Sequence, residues 1–116
     1  MSKYKIFHNP RCSKSRQTLQ ILKEHDCEVE VILYLETAID ESVLVDILGK
    51  MSLSPRDLLR KGEQEFKDNN LKNSNYSDQE IIKFMIQHPK LIERPIVLKG
   101  DKAILGRPPE NVLELI

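Results

Sequence analysis

A chain of 116 residues has the usual size of a single domain, so we expect one folded domain built around one hydrophobic core. The 18 lysine and arginine residues balance the 18 aspartate and glutamate residues, which excludes binding of nucleic acid or an anionic membrane through net charge. No apolar run approaches the roughly 20 residues of a membrane-spanning helix, and the N-terminus leads directly into a strand-like run, so we expect a cytoplasmic protein.

The first third of the chain has the pattern of a β-α-β unit. Residues 4–7 form a short apolar run, and from Ser13 the apolar positions have helical spacing as far as His25 and Asp26. Residues 28–34 alternate between polar and apolar and then become continuously apolar. That pattern predicts a strand that is buried on both faces.

The middle third of the chain predicts helices. Apolar residues repeat with helical spacing over residues 43–51, after a candidate N-cap at Asp40. A cap hydroxyl followed by proline predicts a second, short helix from Ser54 toward Arg60. Residues 67–78 are polar enough to form a surface loop, and a capping box at residues 77–80 begins a helix that ends before Pro89.

The last third predicts a hairpin and a final helix. Residues 96–99 and 102–105 are prone to form strands and are separated by Gly100 and Asp101, a turn signal. Pro108 and Pro109 then begin a helix through Val112, Leu113 and Ile116. The order βαβ, helices, ββα predicts an α/β, thioredoxin-like fold over residues 1–116, with a helical insertion at about residues 38–92. A generic α+β sandwich fits this order less well.

The segment HNPRCSKSR, residues 8–16, places Cys12 between the first strand and the first helix. Unpaired backbone N–H groups in the first turn of a helix favour an anion there. The cations Arg11, Lys14 and Arg16, with His8 when protonated, act in the same direction. Such surroundings lower a thiol pKa from about 8.5 to about 3.5–7.5, so we predict that Cys12 is a nucleophile at neutral pH. The alternative is a small residue in a tight turn beside solvated cations.

The same segment excludes several other kinds of site. The position of the second thiol in a Cys-x-x-Cys motif is occupied by Ser15, so an external group has to resolve a disulfide at Cys12. A phosphatase-type loop needs arginine six residues after the cysteine, where this chain has Thr18. The histidines and cysteines are not at zinc-binding spacings. Cys27 has acidic neighbours, which raise a thiol pKa, and we interpret it as a structural bystander.

Five segments, taken in order, resemble the glutaredoxin-coupled arsenate reductases of the ArsC family, in its short-chain branch. They are HNPRCSKSR at residues 8–16, ILYLET at 32–37, LLRKGE at 58–63, FMIQHPKLIERPIVL at 84–98 and GRPPE at 106–110. The resemblance implies that Cys12 attacks arsenate while Arg60, Arg94 and Arg107 hold the oxyanion. Guanidinium groups suit that role because they offer paired donors, although a single such arginine is more often a surface residue.

The resemblance also implies a set of supporting residues. Pro95 would be the cis-proline that faces the active cysteine in thioredoxin-like folds and would present Arg94 to it. The alternative is a trans proline at the start of an edge strand. His8 would support the thiolate, unless it is a capping or packing histidine. Asn9 would brace the loop, and Ser15 belongs to the same supporting group.

The resemblance implies that no cofactor or metal is bound and that glutathione and glutaredoxin act as reductant and partner. Cys12 would form an adduct with arsenic, glutathione would add, and glutaredoxin would remove the mixed disulfide as arsenite leaves. We expect a monomer that binds neither nucleic acid nor membranes.

Two other functions stay open at this point. One is a regulator similar to the Spx proteins, which share the fold and bind RNA polymerase. The other is a thiol oxidoreductase with another substrate, such as a glutathione mixed disulfide. Spx-like regulators often carry Cys-x-x-Cys as a redox switch, and Ser15 replaces its second cysteine here.

Overall fold

The structure is a computed structural model that describes residues 3–37, 39–73 and 75–116. The chain divides into two compact units, one formed by Met1–Thr37 and Arg94–Ile116 and the other by Ala38–Glu93. No helix in the described part of the chain combines the length and apolarity that crossing a membrane requires.

The first unit is a four-stranded mixed sheet with one long helix. Its elements are β1 (Lys3–Phe7), α1 (Ser13–Glu24), β2 (Glu28–Ile32), β3 (Ile96–Lys99), β4 (Lys102–Leu105) and a 3₁₀ helix at Pro109–Leu115. The strand order is β2-β1-β3-β4, in which β1 pairs parallel with β2 and antiparallel with β3, and β3 pairs antiparallel with β4. The parallel pair requires a crossover, which α1 supplies. This arrangement confirms the predicted α/β, thioredoxin-like fold class.

The core of the first unit joins the sheet to α1 and to the C-terminal segment. The members of this cluster are all buried apolar side chains: Tyr4, Ile6, Leu22, Val97, Val112 and Leu115. The Tyr4 hydroxyl donates a hydrogen bond to the Leu115 carbonyl oxygen at 3.0 Å, and Lys99 Nζ donates to the same oxygen at 2.8 Å. The C-terminal segment is therefore attached both to β1 and to β3, beyond the packing of its apolar residues.

Two predictions for the first unit are wrong in detail. β2 ends at Ile32 instead of Tyr34, and Glu28, Glu30 and Val31 are exposed, because β2 is an edge strand that pairs with β1 alone. The predicted burial of both faces needed packed elements above and below the strand, which an edge position provides less completely than a central one. The last segment is a 3₁₀ helix of seven residues, Pro109–Leu115, instead of the predicted α-helix.

The second unit is helical, as the pattern of the middle third predicts. It contains α2 (Glu41–Met51), α3 (Gln64–Asp68), α4 (Asp78–Gln87) and 3₁₀ helices at Pro55–Leu58 and Pro89–Leu91. Its fully buried residues are mostly aliphatic: Leu44, Ile47, Leu58, Leu71, Ile81, Met85 and Leu91. The short helix α3 was not predicted, and none of its five residues is buried, so it lacks the apolar periodicity by which helices are recognised.

The predicted helix starts of the second unit are confirmed. Asp40 is the N-cap of α2, and Ser54 is the N-cap of the 3₁₀ helix that begins with Pro55. Ser77 and Glu80 form the predicted capping box of α4: the Glu80 N–H donates to Ser77 Oγ at 3.2 Å, and the Ser77 N–H donates to Glu80 Oε1 at 3.0 Å. These signals were readable because each lies within a few residues of the helix start.

Candidate active site

The loop between β1 and α1 places Cys12 at the N-cap of the helix, with φ −93° and ψ 122°. Its N–H donates to the Asn9 carbonyl oxygen at 3.0 Å, and its carbonyl oxygen accepts from the Arg16 N–H at 3.0 Å. The Asn9 side-chain oxygen accepts from the Arg11 N–H, also at 3.0 Å, which is a short-range turn typical of asparagine. The thiol is therefore held where the helix N–H groups converge, as the sequence predicts.

The pKa of the Cys12 thiol is lowered in the folded protein. Partial burial acts in the opposite direction and raises the pKa, because a thiolate loses hydration there. Three groups outweigh the burial by stabilising the thiolate: the Ser15 backbone N–H, the Arg94 guanidinium through a hydrogen bond and its charge, and the Lys14 backbone N–H. The site therefore favours the nucleophilic form of the thiol.

The side-chain cations of the loop do not have the role that the sequence suggested. The groups that lower the Cys12 pKa include no side chain of Arg11, Lys14 or Arg16. The Arg16 guanidinium donates instead to the Pro10 carbonyl oxygen at 2.8 Å, so it closes the loop. The electrostatic effect on the thiol comes from two backbone N–H groups near it in sequence and from an arginine that is 82 positions away along the chain.

Two arginines of the first unit meet at Cys12. Arg107 Nη1 lies 3.9 Å from Cys12 Sγ and 3.3 Å from the Arg94 carbonyl oxygen. Arg94 precedes β3 and Arg107 follows β4, and the pairing of Ile96 with Leu105 brings the two ends of this hairpin together. The peptide bonds Arg94–Pro95 and Arg107–Pro108 are both cis, the first as the resemblance implies and the second without a prediction.

The Arg94 side chain has one hydrogen-bond donor that is not used. Its Nε is buried and has no hydrogen-bond partner within residues 3–37, 39–73 and 75–116. A buried guanidinium N–H without a partner costs free energy, on the order of 1–3 kcal/mol or more for a charged group. This N–H is therefore available to an incoming hydrogen-bond acceptor.

Arg60 belongs to the second unit, where it is fixed by a local backbone pairing. Its N–H donates to the Leu91 carbonyl oxygen at 2.7 Å, and the Glu93 N–H donates to the Leu58 carbonyl oxygen at 2.8 Å. Arg60 Nη1 lies 3.5 Å from Glu93 Oε1, and Arg60 Nε is buried without a partner among the residues that the structure describes. Its convergence with the other two arginines stays a prediction.

His8 is buried, and it contacts Ser15 rather than the thiol. His8 Nδ1 lies 2.6 Å from Ser15 Oγ, which also accepts the Asn9 N–H at 3.1 Å. Burial lowers the His8 pKa, and the positive charges of Lys23 and Arg16 lower it further. The neutral form of His8 is therefore favoured over the charged form. A neutral ring can accept a hydrogen bond from the Ser15 hydroxyl.

Ser15, which the resemblance places among the supporting residues, makes contacts that the sequence did not predict. Its side chain is fully buried and holds both His8 and the Asn9 backbone, while its own N–H reaches the Cys12 thiol. The position that carries a second thiol in dithiol proteins thus positions the loop here. The contact between His8 and Ser15 could not be predicted from the sequence. The two residues are seven positions apart, one in the loop and one in the helix, and no local rule connects residues at that spacing.

Within the described part of the chain, no group of three or more His, Cys, Asp or Glu side chains is arranged so that it could hold a metal ion. Cys12 and Cys27 are both free thiols. Cys27 packs against the core cluster of the first unit, and its Sγ lies 3.9 Å from the His25 carbonyl oxygen.

The family model described as ArsC family matches residues 7–115, a range that includes all of the candidate site residues. The chain belongs to the ArsC family. The uncharacterized Escherichia coli protein YfgD is 51% identical over 113 residues, which cover 97% of this chain and 95% of that protein. The arsenate reductase of Neisseria meningitidis serogroup A is 45% identical over 113 residues, or 97% of each protein.

A solved structure places the fold in the same family. The arsenate reductase from Vibrio cholerae superposes with a TM-score of 0.96 at 42% sequence identity, covering 99% of this chain and 98% of that one. The thioredoxin-like fold that the element order predicts is thus the fold of this ArsC-family chain.

Proposed function

We propose that this ArsC-family chain is an arsenate reductase, an oxidoreductase that converts arsenate to arsenite with electrons from glutathione and with glutaredoxin as partner. The observation that carries the proposal is the Cys12 thiol, whose pKa is lowered and which has the Arg94 and Arg107 guanidinium groups beside it. A nucleophilic thiolate in contact with two arginines suits a multiply charged oxyanion. Relatives named arsenate reductase support the choice of substrate.

The proposed reaction begins at Cys12. The thiolate attacks arsenic, a sulfur–arsenic bond forms, and one arsenate oxygen takes up protons and leaves as water. Arg94 and Arg107 stabilise the negative charge on the remaining oxygens, and the unpartnered Arg94 Nε gains an acceptor. Arg60 is the third arginine that the family resemblance assigns to the oxyanion.

The electrons come from outside the chain. Ser15 stands where a second cysteine would resolve the adduct, so glutathione adds to the arsenic instead. A sulfur–sulfur bond between Cys12 and glutathione then forms as both sulfur–arsenic bonds break, which leaves two electrons on arsenic and releases arsenite. Glutaredoxin then removes the mixed disulfide. In the balance, arsenate loses one oxygen as water, arsenic gains two electrons, and two thiols become one disulfide.

Arsenite formation tests the proposal directly. The assay contains arsenate, glutathione, glutaredoxin, glutathione reductase and NADPH, and it compares the wild type with Cys12→Ser and with Cys27→Ser. We expect Cys12→Ser to lose turnover by at least about 100-fold, because serine is a far weaker nucleophile at neutral pH. Cys27→Ser, which changes the other thiol, should keep wild-type turnover.

The contrary result is a wild-type protein that forms no arsenite although Cys12 reacts with an alkylating agent. That result would sink arsenate reduction as the function. Reduction of a glutathione mixed disulfide in the same assay would then favour a thiol oxidoreductase, and binding of RNA polymerase without turnover would favour the Spx-like regulator.

A further inference from the structure

Three chain segments that carry groups to the Cys12 thiol meet at Gly106, a buried residue without a side chain. One is α1, whose first turn donates the Lys14 and Ser15 N–H groups. The second contains Arg94 and Pro95, and the third is Gly106 itself, which directly precedes Arg107. The packing at Gly106 therefore connects the segments that set the electrostatics of the thiol.

Thr18 and Pro95 lie so close to Gly106 that a methyl group does not fit there. A Cβ on this residue would lie 2.5 Å from Thr18 Oγ1, 2.7 Å from Pro95 Cγ and 3.1 Å from Thr18 Cγ2. Carbon atoms in ordinary contact are about 3.5–4.0 Å apart, so at least one segment would have to move. The backbone of Gly106 is not in the left-handed region, so the requirement for glycine here is steric rather than conformational.

Pro95 and Thr18 cannot easily move away from an atom added at Gly106. Pro95 is a buried closed ring, and Thr18 is a fully buried, β-branched residue with a restricted χ1 angle. Hydrogen bonds fix both contacts: the Gly106 N–H donates to the Pro95 carbonyl oxygen at 2.9 Å, and Thr18 Oγ1 donates to the Lys14 carbonyl oxygen at 2.9 Å. Movement forced at Gly106 is therefore transmitted to α1 and to the Arg94 segment.

We propose that Gly106, packed against Thr18 and Pro95, is a positioning residue that sets how closely Arg94, Arg107 and the first turn of α1 approach Cys12. Thr18 is its counterpart on α1, since its hydroxyl ties the contact to Lys14. Neither residue is among the groups that act on the Cys12 thiol. The consequence for arsenate rests on the proposed function, whereas the consequence for the thiol does not.

The test is the pH dependence of Cys12 alkylation by iodoacetamide, measured in a Cys27→Ser background so that one thiol reacts. Gly106→Ala should move the alkylation midpoint upward by roughly 0.5–1 pH unit, because the groups that stabilise the thiolate retreat. In the arsenite assay the same variant should raise KM for arsenate about tenfold. The matched control is Gly49→Ala, since a Cβ at this exposed helical glycine meets no atom within 4 Å.

A double variant separates positioning from general destabilisation. In a Thr18→Ala background two of the three close contacts are absent, so we expect Gly106→Ala to shift the alkylation midpoint by less there than in the wild-type background. Far-UV circular dichroism and melting temperatures accompany each variant. A folded Gly106→Ala protein with the midpoint and the KM of Gly49→Ala would overturn the proposal.

If Gly106→Ala does not fold, Thr18→Val decides the question. Valine keeps the volume of threonine and removes the hydroxyl that binds the Lys14 carbonyl oxygen, so we expect a smaller upward shift of the midpoint. An unchanged midpoint in that variant would overturn the proposal. A wild type that makes no arsenite would refute the proposed function alone, because the alkylation profile still tests Gly106.

Discussion

At the scale of single residues, the electrostatics of Cys12 come from a few fixed groups. Two backbone N–H groups and the Arg94 guanidinium lower the thiol pKa against the effect of burial. The position of Cys12 at a helix start was readable from the sequence, since a strand end and a helix start are local patterns. The contribution of Arg94 could be anticipated only from the family resemblance, because no local sequence pattern connects residues 12 and 94.

The first prediction compares two arginines. Arg94→Ala should raise the Cys12 pKa, because it removes a hydrogen bond and a positive charge from the thiolate. Arg11→Ala should leave the pKa unchanged, although Arg11 is adjacent to Cys12, because its exposed side chain is not among the groups that lower it. The measurement is the pH profile of iodoacetamide alkylation with Cys27 replaced by serine. An equal shift in both variants would contradict this account.

The second prediction concerns His8 and acid. The His8 pKa lies below its ordinary value of 6.5, so the unfolded chain binds the proton more tightly than the folded one. The contribution of His8 to stability is therefore full above pH 6.5 and declines as the pH falls from 6.5 toward the lowered pKa. We expect the melting temperature to fall less between pH 7 and pH 5 in His8→Gln than in the wild type.

His25→Gln is the control for that comparison, because His25 is exposed and its ring Nδ1 lies 2.9 Å from the Ile21 carbonyl oxygen of the preceding helix α1. An equal loss of melting temperature in the wild type and His8→Gln would show that other groups cause the sensitivity to acid.

At the scale of elements, the hairpin of β3 and β4 brings Arg94 and Arg107 to one end of the unit. Its strand bounds agree with the sequence prediction, because the turn signal lies between two short β-prone runs. The end of β2 and the type of the last helix were not predictable in the same way. They depend on which strands become neighbours in the sheet and on how the C-terminal segment packs.

The third prediction tests the turn of this hairpin. Gly100 has φ +59°, which is the left-handed region, and it is exposed with no atom within 4 Å of a Cβ. Gly100→Ala should reduce the free energy of unfolding by about 1 kcal/mol, measured by urea denaturation, because an L side chain is strained there. Alkylation of Cys12 should keep its wild-type pH profile, since the turn is at the far end of β3 from Arg94.

Gly49→Ala is again the matched control, and it should stabilise the protein slightly, because alanine is the better residue in a helix interior. Equal urea midpoints for Gly100→Ala and the wild type would contradict the strain at Gly100.

At the scale of the whole molecule, a net charge of zero conceals a local excess of positive charge in the first unit. Arg11 and Arg16 are exposed beside Cys12, Arg94 and Arg107 contact the thiol, and the first turn of α1 contains no acidic residue. Composition alone excluded attraction of anions by the chain as a whole. Composition did not exclude attraction of anions at a single site, and in the structure the positive charges lie around Cys12.

The fourth prediction follows from this local charge. Iodoacetate is an anion, whereas iodoacetamide is neutral. The ratio of the iodoacetate rate to the iodoacetamide rate should be higher for Cys12 than for free glutathione. The ratio should fall as sodium chloride rises, because the Debye length shrinks from about 30 Å at 0.01 M to about 3 Å at 1 M salt. The measurement uses the Cys27→Ser background at fixed pH. A ratio that does not respond to salt would show that the cations do not attract anions to the thiol.

The edge position of β2 affects whether two copies of the protein can pair through this strand. An edge strand presents unpaired N–H and C=O groups that can pair with another chain, and the exposed apolar residue Val31 would favour such pairing. Glu28 and Glu30 are exposed on the same strand, and Glu30 is paired with Lys3 at 3.4 Å. Adding a strand to this edge would crowd these charged side chains against the incoming chain. Glu28 and Glu30, whose exposure contradicts the predicted burial of β2, therefore disfavour edge-to-edge pairing of two copies.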